Sequence, residues 1–395
     1  MLGKEKQMQY DYSNIIEYLL HWFDYNARIL RWRLEPKAYY IWISEIMLQQ
    51  TRVEAVKGYF DRFVEELPDI KALAECEEEK LLKLWEGLGY YNRVRNLQKA
   101  AKIIMSDYQG RLPNSYEELL KLPGIGSYTA GAIASNVYKI PVPSVDGNVL
   151  RVAKRIAGSF DDITKASVKK QLENDLREIM PKDRPGDFNQ SLMELGAVIC
   201  IPNGKPLCEQ CPVSHLCKAH QQGIEMKIPV KTPKKSRKIE HKTILLFEYE
   251  EREELTNKKQ THRMLSYYLI QKRNKKGLLA GLWQLPSLEG KKTALEIEEY
   301  ISKMMQEQQL DFGILVEPLG EGKHIFSHIE WHMKGYRIKL TSKDDSSIVE
   351  IKDMINQFLL AENQESKEVK WIHAKELEDY ALPSAFDTYR GYLME

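Results

Sequence analysis

Four of the five cysteines fall in one short stretch: Cys200, Cys208, Cys211 and Cys217, separated by seven, two and five residues. Four thiolates this close can bind zinc as readily as an iron–sulfur cluster, because tetrahedral sulfur suits both. With every coordination position taken by the chain, no open position remains for a reacting water, so the metal is expected to be structural. Two carboxyl groups are the candidates for the chemistry instead. Glu45 stands in AYYIWISEIML among Ile41, Trp42, Ile43, Ile46 and Met47, and a helix here has little polar face on which to place it. Desolvation favours the protonated form and raises the pKa, as suits a general acid. The second carboxyl, Asp146, stands on a Val-Asp-Gly-Asn turn just after Pro141 and Pro143.

The elements that must position these groups are helical. A helix with Asn114 or Ser115 as N-cap and Glu117 or Glu118 as capping-box partner should end near Lys121, and a second should open at Ser127 and stop at Pro141 and Pro143. Between them Gly124 and Gly126 allow backbone angles closed to other residues, so the amides opening the second helix can face outward and hold a phosphate. Residues 10–30 have a helical apolar face, and Arg28, Arg31 and Arg33 then surround Trp32. Alternating cations and an aromatic can grip phosphates and stack a base. An amphipathic pattern over residues 79–108 is interrupted by Gly87 and Gly89, leaving Leu88, Tyr90 and Tyr91 on an irregular turn before Arg93 and Arg95. That composition fits insertion into an opened base stack. Helices are also expected over residues 147–157 and 165–180.

At 395 residues, two or three domains are expected. Lys plus Arg (58) almost balances Asp plus Glu (57), so any nucleic-acid surface must be local. No apolar run approaches membrane-spanning length and the first residues lack a signal-peptide core, which points to a reducing, cytoplasmic setting and to metal rather than disulfides. Residues 227–238 carry two prolines, six basic residues and no acid, and should form an exposed linker. Beyond it the pattern alternates. Strands are expected over 243–249, 265–273, 331–340 and 369–372, with a helix near 294–306, giving an α+β domain.

LPGIGSYTA followed by VDGNV resembles the helix-hairpin-helix, loop and Asp of the DNA glycosylase superfamily that includes endonuclease III and the MutY-type adenine glycosylases. SEIMLQQTRV resembles the segment carrying the catalytic Glu in the MutY type. The cysteine spacing, with Pro212 after the third Cys, resembles the four-iron four-sulfur motif of both, its first gap one residue longer than usual. GLLAGLWQLPS at 277–287 resembles the Nudix fold's approach to its catalytic helix, but no magnesium-binding helix rich in Arg and Glu follows.

The resemblance implies a multidomain chain: an all-α helix-hairpin-helix glycosylase domain over 1–220 (hairpin near 114–137, cluster loop 200–217), a basic linker over 221–240, and an α+β Nudix-like domain over 241–395 that recognises 8-oxoguanine. It implies a 4Fe–4S cluster in preference to zinc, no catalytic metal, and a monomer acting on double-stranded DNA with 8-oxoguanine:A or G:A pairs. Glu45 becomes the acid and Asp146 the ionised partner, supported by Asn148 and Tyr128. Arg28, Trp32, Leu48, Gln190 and Met193 become the adenine pocket. Gln50 becomes a wedge in the stack and Thr51 faces 8-oxoguanine, with Leu88 and Tyr90 at the lesion. Gly124 and Gly126 hold the DNA backbone, Lys205 is available to a phosphate, and Phe326, Ser327 and His328 read the damaged base. Tyr128 occupies the place of the Lys whose amine gives endonuclease III its lyase step, and a phenol forms no imine, so base removal without strand cleavage is expected. The competing readings are an endonuclease III-like lyase for oxidised pyrimidines, disfavoured by Tyr128 and the C-terminal extension, and a non-enzymatic DNA-binding module, which leaves the apolar setting of Glu45 without a purpose.

Overall fold

Helical periodicity gives way to two-residue alternation along the chain, and the computed structural model follows that switch. It describes residues 10–233, 236–254, 262–307, 313–341, 349, 352–353, 355–357 and 366–393. Two compact units result: Met1–Cys76 with Asn92–Lys234, and Glu77–Tyr91 with Lys235–Glu395.

In the first unit, the helices Ile16–Asn26, Gly147–Ala157, Ala166–Ile179 and Pro185–Val198 share a core containing Leu19, Val149, Ile156, Leu172 and Phe188. The Ala38–Leu48 helix is buried throughout from Tyr39 to Met47, as a helix that is apolar all round must be. It packs on the Val53–Glu66 and Ser127–Tyr138 helices.

The expected hairpin is present. Ser115 caps the short helix Tyr116–Leu119, its hydroxyl accepting the Glu118 N–H at 3.4 Å. The second helix, Ser127–Tyr138, ends before the prolines because Lys139 turns left-handed at φ 56° and its N–H closes on the Ala134 carbonyl. One of the two glycines departs from expectation. Gly124 has φ +79°, but Gly126 has φ −93° and ψ −177°, an extended conformation open to any residue. No side chain caps the amides that follow Gly126.

The linker expectation needs correction at its start. Ile228 is buried, the Ile163 N–H donates to the Val230 carbonyl at 3.1 Å, and Thr232 donates to Asp162 through its amide and hydroxyl. Two apolar residues within the basic run, Ile228 and Val230, attach this segment to the helical unit.

The second unit is a sheet of β1 (Lys238–Glu254), β2 (His262–Arg273), β3 (Trp283–Gln284), β4 (Ser287–Glu289), β5 (Gly313–Ile325), β6 (Ile329–Thr341) and β7 (Ser366–His373). The order is β3-β2-β1-β6-β5, with β4 on β1 and β7 on β2. The β1–β6 pair is parallel, bringing Ile244 opposite Gly335, and the other pairs are antiparallel. Successive residues face opposite sides. Leu246, Ile270 and Trp331 enter one core, while Leu245, Phe247 and Leu269 enter another beneath Ile297 and Ile301 of the Ala294–Glu307 helix. β5 has no counterpart among the expected strands. Its Gly313, Pro318, Gly320 and Gly322 read as turn residues, but it lies at the end of the strand order and shifts register between Pro318 and Gly320, where such residues are tolerated.

Residues 77–91 join this unit through side chains. Lys83 Nζ donates to the Tyr380 carbonyl at 3.1 Å, and Glu86 accepts from the Leu382 N–H at 3.0 Å and from the Arg390 guanidinium. The amphipathic pattern shows that this segment has a face to bury but not what it buries it against.

A Cβ on Gly131 of the second hairpin helix would stand 2.6 Å from the Pro143 carbonyl oxygen and 2.9 Å from Ser144 Oγ, just before Asp146. Gly131→Ala should therefore destabilise the first unit by about 1–3 kcal/mol, read as a lower denaturation midpoint with an unchanged slope.

Candidate active site and metal centre

The Ala38–Leu48 helix carries Glu45 into the interior, where it is 9% exposed and its Oε2 is buried with no hydrogen-bond partner. Desolvation pushes its pKa from 4.5 up to about 7. The Tyr128 hydroxyl and the Arg33 guanidinium pull against this shift, and the Asp146 charge adds to it. Tyr128, in the first turn of the second hairpin helix, donates to Met193 Sδ at 3.6 Å. Burial and the two neighbouring carboxyls hold its phenol well above its ordinary pKa, so it stays a neutral donor.

Asp146 is the N-cap of Gly147–Ala157. Its Oδ1 accepts the Asn148 and Val149 amides at 2.9 and 2.8 Å, and its Oδ2 accepts the Asn148 side-chain amide at 2.8 Å. Burial raises its pKa and these donors oppose the rise. The amides it meets are those of its own helix, not of the hairpin. Asn148 Oδ1 in turn accepts from Arg151 at 3.0 Å, and Arg151 also donates to the Gly196 and Cys200 carbonyls at 2.8 and 2.9 Å. A continuous hydrogen-bonded path therefore joins Asp146 to the first cysteine of the loop.

The arginines around Trp32 are not free to grip phosphate. Arg28 Nε and Arg33 Nη2 lie 2.6 and 2.8 Å from the fully buried Glu194, and Arg31 pairs with Asp61 at 3.1 Å. The two guanidiniums overcome desolvation and hold Glu194 down to about 2. Trp32 is buried edge-on against Phe60, with ring centroids 4.9 Å apart. Leu48 and Gln190 are half-buried, and the Gln190 amide is bonded to Asn136. Glu194 is absent from the sequence-based candidates, although SLMELGAV shows the signal that marked Glu45, a carboxyl inside an apolar run.

Gln50 and Tyr90 both adopt left-handed backbone, at φ 60° and 48°, and both are exposed. Side chains rarely adopt this conformation without support. For Gln50 the support is Arg93, whose Nη1 donates to the Ile46, Met47 and Gln49 carbonyls at 2.9, 3.0 and 2.7 Å and so caps the end of the Glu45 helix. Thr51 beside it is half-buried. In the second unit, Leu88 is buried, whereas the Tyr90 hydroxyl lies 3.1 Å from Ser327 Oγ. Ser327 and His328 are the exposed tip between β5 and β6, closed by the Phe326 N–H on the Ile329 carbonyl at 2.8 Å. The half-buried Phe326 ring packs edge-on against Trp331 with a centroid separation of 4.9 Å.

Cys200, Cys208, Cys211 and Cys217 line one small cavity, and none forms a disulfide. Burial raises the Cys208, Cys211 and Cys217 thiols, Cys211 to about 12. Arg155 donates to Cys200 Sγ at 3.3 Å. Among the described residues, the trio of ligand atoms lying within 4.8 Å of one another is Cys208, His220 and Glu225. Lys205 is exposed on the loop before Cys208.

The model of the HhH-GPD superfamily of base excision DNA repair proteins matches residues 43–178, and that of the NUDIX domain matches residues 262–390. The helical unit with Glu45 and Asp146 is thus a base excision DNA glycosylase with a Nudix-like unit joined to it. The adenine DNA glycosylase of Rattus norvegicus is 34% identical, covering 83% of this chain and 71% of its own length. That of Schizosaccharomyces pombe is 32% identical, covering 81% and 80%, and one from Buchnera aphidicola is 39% identical over 57% and 64%. The chain belongs to the adenine DNA glycosylase family, enzymes that excise adenine in base excision repair.

The Glu45 shift has a stability consequence. Its folded pKa, about 7, lies above its unfolded-chain value of 4.5, so the native state binds this proton more tightly and loses stability as pH rises between those values. Glu45→Gln removes that loss. The variant should be more stable than the parent by about 1–3 kcal/mol at pH 8, with the gain vanishing near pH 4, as measured by denaturant midpoints at both pH values.

Proposed function

We propose that the chain is a monofunctional glycosylase that removes adenine paired with 8-oxoguanine or guanine in duplex DNA and leaves an abasic site. The observation that carries this reading is the Glu45 carboxyl, its Oε2 without a hydrogen-bond partner in an apolar helix and its pKa raised to about 7 beside Asp146 and Tyr128. At neutral pH such a group is about half protonated, and its protonated form can deliver a proton to adenine N7, so the base departs neutral. The sugar becomes cation-like. Asp146, its charge supported by two amides and the Asn148 side chain, stabilises that cation or bonds briefly to C1′. Glu45, now deprotonated, activates the water that completes hydrolysis. Tyr128 offers no amine, so no Schiff base forms and the strand stays intact.

Adenine must be flipped out, at a cost of ~a few kcal/mol that is lower at a mispair. Arg28, Trp32, Leu48, Gln190 and Met193 receive the base, and Glu194 fixes Arg28. The uncapped amides after Gly126, in the turn that Gly124 makes tight, hold the DNA backbone. Gln50 enters the stack, with Thr51 facing 8-oxoguanine and Leu88 beside the lesion. Tyr90, bonded to Ser327, forms with Phe326 and His328 the reader of the damaged base. The four cysteines hold a 4Fe–4S cluster. A single zinc with Zn–S bonds of about 2.3 Å would draw the sulfurs together, whereas here the close trio is the mixed one around Cys208. When bound, the cluster supplies structural cross-linking of the loop to the Gly147–Ala157 helix.

Single-turnover reaction of an 8-oxoguanine:A duplex, with and without alkali, tests the reading beside a thymine-glycol duplex. The adenine strand should break only after alkali, at a rate falling about tenfold per pH unit above 7. Glu45→Gln and Asp146→Asn should each lower the rate at least ~100-fold. Breaks without alkali, or on thymine glycol alone, would favour the lyase reading instead.

A further inference from the structure

Within the cluster loop, Cys208 follows the lengthened first gap and stands between exposed Leu207 and Glu209; it is half-buried, as are Cys200 and Cys211, whereas Cys217 is buried. Two further ligating groups also reach it, since ligand atoms of Cys208, His220 and Glu225 lie within 4.8 Å of one another. Each brings one atom without a partner: His220 Nδ1 and Glu225 Oε2 are both buried with no hydrogen-bond partner. His220 lines the same cavity as the four cysteines and is carried by the short helix Lys218–Gln221 directly after Cys217. Glu225 follows in the turn closed by the Lys227 N–H on the Ile224 carbonyl at 2.9 Å. Two buried polar atoms left without partners beside a cysteine sulfur cost free energy unless something coordinates or orients them.

We propose that His220 is a reserve ligand for the iron held by Cys208, with Glu225 as the carboxylate that orients its ring. This rests on the four-iron cluster reading above. Imidazole is an accepted iron ligand in sulfur clusters, where it replaces thiolate on individual irons. In the exchange one Fe–S bond breaks and one Fe–N bond forms from the unprotonated ring nitrogen. The iron keeps its oxidation state and the released thiolate takes a proton from water. The corner of the cluster held by Cys208 can thus lose its sulfur without losing its iron.

The test uses the full chain as purified, with iron and acid-labile sulfide measured per chain and unfolding followed in parallel. Cys208→Ala should retain at least half of the parent's iron and sulfide, whereas Cys208→Ala with His220→Ala, and Cys211→Ala alone, should fall below a tenth. After one-electron reduction of the cluster by dithionite to its paramagnetic state, pulsed electron paramagnetic resonance of Cys208→Ala should show a nitrogen coupling that changes when histidine is labelled with nitrogen-15. Where Cys208→Ala does not fold, loss of iron from the otherwise unaltered chain to a chelator decides. Loss should be several-fold faster in His220→Ala than in the parent and unchanged in His215→Ala, whose ring instead packs against Tyr18. Equal cluster content in Cys208→Ala with and without His220, or equal loss rates in the parent and His220→Ala, would overturn the proposal while leaving the cluster in place. A parent chain free of iron and sulfide overturns both the proposal and the cluster.

Discussion

Excluding water from one carboxyl group is the constraint around which the helical unit is built. A helix as apolar as Ala38–Leu48 must be surrounded by others, and Glu45 is carried inside with it. Three carboxyl groups of this unit then meet three outcomes, decided by what each is given in place of water. Glu45 Oε2 is given no donor and the group holds its proton to about 7. Asp146 receives three neutral N–H donors, which oppose the upward push of burial. Glu194, wholly screened from solvent, receives two guanidiniums and remains charged down to about 2. Burial alone would have raised all three, so the hydrogen-bond partners divide the roles.

Arginine also fixes main chain in this unit. Arg93 gathers three carbonyls at the end of the Glu45 helix, where Gln50 turns left-handed. Arg151 holds Asn148 to the Gly196 and Cys200 carbonyls, and Arg155 joins Cys200 and Ile201 to the Ile228 carbonyl. A planar group with five donors in fixed directions suits this task, and lysine, a point charge, would not reproduce it. Arg93 thus fixes the helix end next to Glu45, while Arg151 and Arg155 tie Asn148, the partner of Asp146, to the cysteine loop.

What was legible in the sequence had a local cause. Ser115, Asp146 and the switch of period near residue 238 act through neighbours in the chain, and the structure has the elements they announce. Gly124 was legible for its backbone, but Gly126 resembled it in type and differs in conformation. What stayed hidden depends on distant partners. β5 looks like a series of turns until β6 is beside it. The start of the linker looks solvated until Asp162 and Ile163 pair with it. Glu194 is intelligible only with Arg28 and Arg33, some 160 residues earlier, at hydrogen-bonding distance. The meeting of His220 and Glu225 with Cys208 has no spacing rule that would have announced it.

The placement of residues 77–91 bears on how such a chain can be assembled from parts. The polypeptide passes between its two units at 76–77, 91–92 and 234–235, so the C-terminal unit is not a cassette appended after a linker. Part of it is written inside the other unit's sequence. Shortening the chain at the linker would leave Glu86, whose side chain is only 15% exposed, without Arg390, and Lys83 without the Tyr380 carbonyl. Exchanging the C-terminal unit for a foreign one would require the interior segment to be rewritten to match, which makes the pair a single heritable module despite its two cores.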